Sequence, residues 1–241
     1  MFSRSLSALK RLDAFVQCQP SITPYLLQSL SSPPLSLPSK SLTASSSGGV
    51  TIANCTPRQL YAANLYTPTA SRVLLRLGTF PEIHTPDQIL SSLKSAIPDL
   101  EAQFNLSSKN LHFRITSSHS TLKHTKAIEE RLLTLLQPTP PLPTAPPQLI
   151  LVRLIRNTLY LSLDSSGSGL HTRGYRSADD FGKAPLRESI ASALLLAANY
   201  DPEKALIDPF CGSGTLLIEA ALQSRPHIHP RLMVGRETGF S

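Results

Sequence analysis

The chain has 241 residues, 41% of them hydrophobic, which is enough for one large domain or two small ones. Lys and Arg number 23 against 16 Asp and Glu, so the formal net charge is +7. Such a basic surplus favours a polyanionic partner such as nucleic acid, although proteins targeted to organelles are basic for another reason. No apolar run reaches the roughly 20 residues of a membrane-spanning helix, so we expect a soluble chain without a membrane partner.

Three cysteines, Cys18, Cys55 and Cys211, are scattered along the chain and form no C-x-x-C pair. This spacing indicates neither a disulfide framework nor a zinc site, and it agrees with a reducing compartment. His227 and His229 lie close together, but no further ligands accompany them. The sequence therefore predicts no metal site.

Residues 1–47 have the composition of a disordered leader. They are crowded with serine, and Asp13 is their only acidic residue. Serine-rich segments with few acids are typical of mitochondrial and chloroplast transit peptides, and little apolar surface is present to order them. We therefore predict a transit peptide at 1–47 and a soluble organellar protein; the alternative is an ordinary disordered tail.

From Gly48 onward the pattern predicts alternating strands and helices, followed by a hairpin with Asn157 near its turn. Two helices have clear starts, at Thr56-Pro57 and Thr85-Pro86, because Thr caps a helix and Pro fits its first turn. The predicted elements lie at 48–55, 56–66, 71–80, 85–97, 111–116, 125–136, 148–157 and 158–166. The proline-rich stretch PTPPLPTAPP interrupts them as a spacer.

Basic side chains are spread over the predicted α+β part at 80–165. Each could contact phosphate or could simply belong to a solvated face. They are Arg114, Lys123, His124, Lys126, Arg153 and Arg156. Beyond this part, His171, Arg173 and Arg176 could contact nucleic acid or tie two domains together.

The segment after Pro185 carries the most specific pattern. A helix is predicted to begin near Pro185, and ALIDPFCGSGTLLIEAAL then predicts a short apolar strand, a glycine turn and a second helix. Its first helix has an expected buried stripe of Ile190, Ala193, Leu194 and Ala197. A strand, glycine turn and helix N-terminus suit a nucleotide-like cofactor, because glycine lets backbone approach the ligand and helix amides face it. Asp208 adds a negative charge where such a crevice opens.

Two familiar phosphate motifs do not fit this turn. A P-loop needs a lysine after its last glycine, whereas Thr215 follows Gly214. A dinucleotide fingerprint needs a third glycine, and Leu217 holds that place. An acid ahead of G-x-G suits a ligand with a cationic amino-acid end, such as S-adenosylmethionine. Cys211 occupies a small-residue position in the turn, so we reject a nucleophilic role for it.

Three stretches, LDSSGSGLHTRGYR, APLRESIASALLL and DPFCGSGTLLIEAAL, closely resemble consecutive segments of one family. These are the THUMP-containing methyltransferases that modify guanine N2 of large-subunit ribosomal RNA. The resemblance is sharp over about 160–222 and fainter over 48–160. It implies an α/β chain with a partial ferredoxin-like segment at 48–80 and an α+β THUMP-like RNA-binding domain at 81–165. The start of a Rossmann-like methyltransferase domain is implied at 166–241.

The resemblance also implies S-adenosylmethionine as cofactor, RNA as partner and a set of cofactor-binding residues. The positions that match the first cofactor motif are Asp208, Pro209, Phe210, Gly212, Ser213, Gly214 and Thr215. Arg187 and Glu188 match the preceding helix, which packs near the methionine end in that family. Alternatively, these two side chains form only a salt bridge on the helix surface.

The sequence departs from the family in its catalytic motif. Asn-Pro-Pro followed by an aromatic residue, which holds the target amine in that family, does not occur among the 241 residues. We therefore assign no catalytic residue and expect an incomplete methyltransferase domain that transfers no methyl group as given. The alternatives are a non-catalytic RNA-binding fragment and a DNA amino-methyltransferase.

Overall fold

The computed structural model describes residues 12–106, 109–136, 144, 147–175 and 186–224. Within these ranges the chain forms seven strands and seven α-helices. They are divided between two compact units. The inserted unit is Leu74–Asp164, and the split unit combines Asp13–Val73 with the residues from Ser165 onward. No helix in the described part is long and apolar enough to cross a membrane.

Within the described residues, the split unit contains three short strands and four α-helices. Strand β3 lies between β1 and β2 and pairs antiparallel with β2. The elements are β1 (Leu12–Gln17), α1 (Thr23–Ser31), β2 (Leu42–Ala44), β3 (Val50–Cys55), α2 (Pro57–Tyr66), α6 (Glu188–Ala197) and α7 (Thr215–Gln223). Helices α6 and α7 pack against each other, and α1 contacts α6. The first and last parts of the chain therefore share one core.

The inserted unit is built on a sheet with strand order β4-β7-β6-β5. The β5–β6 pair is parallel, and the other two pairs are antiparallel. The elements are β4 (Arg72–Phe80), α3 (Pro86–Lys94), α4 (Ile97–Phe104), β5 (Asn110–Ser118), α5 (Thr125–Leu136), β6 (Pro147–Ile155) and β7 (Thr158–Asp164). Helices α3 and α5 pack together, and α5 packs on β5.

Several predicted elements are confirmed, and their caps form as the sequence suggested. The Thr56 hydroxyl accepts a hydrogen bond from the Gln59 amide at 3.2 Å, while Gln59 Oε1 accepts from the Thr56 amide at 2.9 Å. The hairpin turns at Arg156 and Asn157, whose φ angles are +48° and +58°. Two consecutive positive φ values match the twist of a tight hairpin turn, in which Asn is favoured.

The predicted disorder of residues 1–47 is wrong for the part that the structure describes. Strand β1, helix α1 and strand β2 all fall within it. Gly49, with φ +135°, lies so close to β1 that an added Cβ would be 2.5 Å from the Phe15 ring and 2.6 Å from the Val16 carbonyl. The serine-rich composition hid this packing, which depends on Phe15, Leu26 and Leu30, all buried. Residues 1–11 lie outside the described ranges.

Two further predictions need correction. The single helix predicted at 85–97 is two helices, α3 and α4, and Pro98 lies in the first turn of the second one. The apolar strand predicted before the glycine turn is not formed: residues 205–208 belong to no described strand, and Ile207 is 84% exposed. An apolar run becomes a strand only where a neighbouring strand receives its hydrogen bonds, and none of the described strands does so here.

Hydroxyl and amide side chains connect the two parts of the split unit. Asn64 on α2 donates to Ser165 Oγ at 2.9 Å and accepts from Ser166 Oγ at 2.8 Å. Ser165 Oγ also donates to the Val73 carbonyl at 2.8 Å. Because all three polar side chains are buried, each needs these partners to offset its loss of hydration. The chain is thereby held where it leaves and re-enters the split unit.

A buried ion pair fixes the helices that follow. Arg173 is 2% exposed and Glu219 on α7 is 1% exposed. Arg173 Nε donates to Glu219 Oε1 and its Nη2 donates to Oε2, both at 3.2 Å. Two hydroxyls also donate to this carboxylate, Tyr175 at 3.1 Å and Ser192 on α6 at 2.5 Å. The carboxylate therefore has four donors, and the pair links the 170–175 loop, α6 and α7.

Arg173 also donates to backbone carbonyls in the segment before β4 and in the segment after β7. Its Nη1 donates to the Leu170 carbonyl at 2.8 Å, and its Nη2 donates to the Pro68 carbonyl at 2.5 Å. A guanidinium is suited to this task because its donors project in a fixed planar fork. The Arg173 side chain thus binds the loop before β4, the loop after β7 and helix α7 at the same time.

We predict that Gly49→Ala destabilises the protein by about 1–3 kcal/mol, because the added methyl group meets β1 and alanine does not tolerate this backbone angle. Urea unfolding followed by circular dichroism measures the change. Ser46→Ala, at an exposed position of the same turn, should change stability by less than about 0.5 kcal/mol. Equal stability of both variants would mean that residues 12–20 do not pack on Gly49.

We predict that Arg173→Met lowers the free energy of unfolding by about 3–5 kcal/mol, because it leaves the buried Glu219 carboxylate without its cation. The double variant Arg173→Met/Glu219→Met should recover at least half of that loss, since no buried charge then remains. Lys204→Met is the control, because Lys204 pairs with Asp201 at 3.6 Å on the surface and should contribute less than about 1 kcal/mol. A loss for Arg173→Met no larger than that of Lys204→Met would contradict the assignment.

Candidate cofactor site

The residues from Asp208 to Gly214 form a tight turn that leads directly into helix α7. Asp208 Oδ1 accepts a hydrogen bond from the Phe210 amide at 3.1 Å, which closes the first half of the turn. The Gly214 amide donates to the Cys211 carbonyl at 2.8 Å, which closes the second half. The turn thus delivers the chain to the N-terminus of α7 at Thr215.

Both glycines of the turn adopt a left-handed backbone. Gly212 has φ +52° and Gly214 has φ +70°, angles that other residues adopt only with strain. A Cβ added at either position would meet no atom of the described residues within 4 Å. The glycines are therefore not required by close packing of the protein on itself. Bare backbone facing open space is what a closely approaching ligand requires, so the turn fits a bound cofactor.

The start of α7 adds polar groups to the same place. A helix N-terminus carries a partial positive charge and amide groups without intrahelical acceptors, so it attracts carboxylate or phosphate oxygens. Ser213 Oγ lies 3.2 Å from Thr215 Oγ1, and Thr215 is buried. Phe210 is 93% exposed beside them. The turn thus combines a carboxylate, helix amides, hydroxyls and an exposed aromatic ring.

The position of this turn depends on the buried ion pair. Glu219 lies one helical turn after Thr215, on the buried side of α7. Because Arg173 holds Glu219 and Ser192 holds the same carboxylate from α6, the N-terminus of α7 cannot shift without breaking these bonds. The ion pair therefore positions the turn without belonging to it.

The structure brings together seven of the nine predicted cofactor residues, those from Asp208 to Thr215, in one turn. The other two stand at the start of α6, where Arg187 is the N-cap residue and Glu188 opens the helix. Both lie close enough to influence His171. Burial lowers the pKa of His171, Arg187 lowers it further, and Glu188 opposes this effect. The contribution of Arg187 and Glu188 to a cofactor site stays a prediction.

Of the three basic residues His171, Arg173 and Arg176, the structure describes the first two, and their environments differ. Arg173 is buried in the ion pair, so the alternative that it contacts nucleic acid is wrong. His171 is partly buried, and its Nδ1 has no hydrogen-bond partner. Arg176, together with Pro185, His227 and His229, lies outside the described residues. In the described ranges, no three His, Cys, Asp or Glu side chains cluster as a metal site requires.

Sequence reasoning missed the residues that support the turn. On α6 the buried residues include Ser189 and Ser192, whereas Leu194 is 49% exposed, so the predicted stripe is wrong for Leu194 and also for Ala197. Ser192 is buried on the side of α6 from which its hydroxyl donates to the Glu219 carboxylate. A single acid inside the apolar run LLIEAAL was the signal that could have indicated this pair.

Comparisons with known proteins find relatives of the segment that contains this turn. Residues 173–237 match the family model of the RMKL-like methyltransferase domain. Over 173 residues the chain is 38% identical to "Putative RNA methyltransferase slr0064" of Synechocystis, covering 68% of this chain and 44% of that protein. It is 37% identical over 173 residues to Ribosomal RNA large subunit methyltransferase K/L of Aliivibrio fischeri, covering 68% of this chain and 24% of that protein. The chain thus spans less than half the length of these curated relatives.

Two solved structures share the fold. One is from Listeria monocytogenes and is described as a predicted N6-adenine-specific DNA methylase; it has a TM-score of 0.74 and 26% identity, covering 95% of this chain and 58% of that one. The other is SMU.472, described as a putative methyltransferase complexed with SAH; it has a TM-score of 0.73 and 24% identity, covering 96% and 59%. Residues 173–237, which include the glycine turn and helix α7, thus resemble the RMKL-like methyltransferase domain.

Proposed function

We propose that this chain acts in S-adenosylmethionine-dependent methylation of RNA and holds the cofactor at the turn from Asp208 to Thr215. The observation that carries the proposal is the pair of left-handed glycines whose missing side chains face open space at the start of α7. The SAH complex of SMU.472 and the match of residues 173–237 to a methyltransferase domain support the choice of cofactor.

Each part of the turn has a task in this proposal. The Asp208 carboxylate attracts the cationic amino group of the cofactor, and the amides at the start of α7 attract its carboxylate. Gly212 and Gly214 allow backbone to approach the ligand closely. The bound cofactor would supply an electrophilic methyl group on its sulfonium sulfur. The side chains of this turn bind and orient, and none is proposed as a proton acceptor.

RNA is the proposed substrate class because both curated relatives described above are named as RNA methyltransferases. Within that class we propose large-subunit ribosomal RNA and the exocyclic N2 of guanine, following the sequence resemblance. The inserted unit, whose strands and helices include the predicted α+β elements, is the proposed THUMP-like RNA-binding part. A soluble organellar location stays a prediction from the composition of residues 1–47. Residues 12–47 of this segment contain β1, α1 and β2.

We propose the methyl-transfer reaction for a protein that spans the full length of these curated relatives. The Asn-Pro-Pro-aromatic motif that would hold the target amine does not occur in these 241 residues. We therefore propose that the chain by itself binds cofactor and RNA but transfers no methyl group. For this reason the test of the proposal is cofactor binding rather than turnover.

We predict that the full chain binds S-adenosylhomocysteine in isothermal titration calorimetry and that Asp208→Asn weakens binding at least about tenfold, equivalent to about 1.4 kcal/mol. Asparagine keeps an oxygen that can accept the Phe210 amide, so the variant removes charge without removing the turn. Gly214→Ala should also weaken binding, since its methyl group occupies the space proposed for the ligand.

The matched control is Glu203→Gln, which removes an exposed acid five residues before the turn. It should change affinity by less than about twofold, because a solvated charge outside the site is screened. A folded wild-type chain that binds no S-adenosylhomocysteine would refute the cofactor site. Equal affinities of the wild type and Asp208→Asn would refute the role of Asp208.

A further inference from the structure

The sheet of the inserted unit has two different faces. Side chains of a strand alternate between faces, and residues paired across neighbouring strands lie on the same face. On β6 and β7 one face is buried and, apart from Gln148, apolar. Its apolar residues are Ile150, Val152, Leu154, Leu159, Leu161 and Leu163. This face packs toward the helices of the unit, which bury Ile89, Leu93, Ile128 and Leu132.

The opposite face carries arginines on three of its four strands. Arg76 on β4 pairs with Ser162 on β7, which in turn pairs with Leu151 on β6. Leu151 pairs with Arg114 on β5, so Arg76 and Arg114 belong to one row across the sheet. In the next row, Arg153 on β6 pairs with Tyr160 on β7. Because neighbouring strands are about 4.8 Å apart, these guanidinium groups originate within about 15 Å of one another.

Arg76 and Tyr160 form an ordered stack on this face. The Arg76 guanidinium carbon lies 4.7 Å from the centroid of the Tyr160 ring, within the range of a cation–π contact. Arg76 Nη1 also donates to Ser162 Oγ at 3.0 Å. These two contacts hold the guanidinium plane in place before any ligand arrives. A fixed guanidinium plane is a surface on which an unpaired base can stack.

The face is exposed toward β5, the last strand in the sheet order. The alternate residues His112, Arg114, Thr116 and Ser118 are all exposed, whereas Arg153 and Tyr160 are half-buried. Among the described strand positions on this face, the only carboxylate is Asp164, which is buried. The exposed and half-buried charged side chains at these positions are therefore cationic.

We propose that this arginine face, defined by Arg76, Arg114, Arg153 and Tyr160, is the surface on which the inserted unit docks RNA. The arginines contact phosphate oxygens, and an unpaired base stacks on the Arg76–Tyr160 pair. The assignment rests on the proposed function, which supplies RNA as the partner, and adds where on this unit it binds. Charge complementarity and a planar stacking group together favour single-stranded or loop RNA over a duplex, whose bases are not available for stacking.

The test compares two charge-matched double variants of the full chain. Arg114→Gln/Arg153→Gln removes two cations from the arginine face, and Lys94→Gln/Lys126→Gln removes two exposed cations from α3 and α5. Binding of a fluorescein-labelled RNA hairpin with a single-stranded overhang is followed by anisotropy over a series of salt concentrations. Arg114→Gln alone is included because Arg114 is exposed and its replacement leaves the core unchanged.

We expect Arg114→Gln/Arg153→Gln to weaken RNA binding by about tenfold or more and to reduce the slope of log K against log salt by about 1.5, the value for two lost phosphate contacts. Arg114→Gln alone should reduce that slope by about half as much. Lys94→Gln/Lys126→Gln should weaken binding by less than about twofold. Equal weakening by both double variants, or by neither, overturns the arginine face as the docking surface.

Different outcomes of the same experiment would contradict the proposed function. If the wild-type chain binds no RNA, or if unlabelled duplex DNA displaces the RNA as well as unlabelled RNA does, the RNA function is overturned. If wild-type RNA binding is present and unchanged in the arginine variants, only the docking surface is overturned.

Discussion

The position of the cofactor turn depends on one buried ion pair, Arg173 with Glu219. If Arg173 is removed, the Glu219 carboxylate is left buried without its cationic partner, which is energetically costly. The loop that carries Arg173, helix α6 through Ser192, and the Pro68 carbonyl all converge on this pair. The hydrogen bonds of this pair fix the orientations of the two side chains as well as the distance between them. Helix α7 therefore has one orientation in the split unit, and the glycine turn at its N-terminus is preorganised.

The two units present different chemistry to ligands. The split unit offers an acid, two left-handed glycines and a helix N-terminus, a combination suited to a small zwitterionic cofactor. The inserted unit offers a sheet with one face buried under helices and the other lined by arginines. In our proposals the first holds the methyl donor and the second holds the RNA. Each surface is built from side chains of a single unit, so each can be tested by variants that leave the other unit untouched.

The sequence predicted correctly those features whose structure depends on neighbouring residues. The Thr56-Pro57 start, the Asn157 hairpin and the glycine turn before α7 all depend on residues next to each other. The failures concern contacts between distant segments. Strand β1 depends on Gly49, far along the chain, and the buried side of α6 depends on a charge on α7. Thr23 and Pro24 open α1, with Ile22 as the N-cap residue, so this helix starts without the threonine cap that marked the helices at Thr56 and Thr85.

The most direct test of the account uses Cys211, a natural reporter inside the turn. Cys211 is exposed, whereas Cys18 and Cys55 are buried, and burial together with the Asp13 charge raises the pKa of Cys55 to about 12. Only Cys211 should therefore react with iodoacetamide in the folded chain, because the thiolate is the reactive form. The account predicts that saturating S-adenosylhomocysteine slows alkylation of Cys211 about tenfold or more, as followed by mass spectrometry. An unchanged rate of Cys211 alkylation at those concentrations would contradict a cofactor site at this turn.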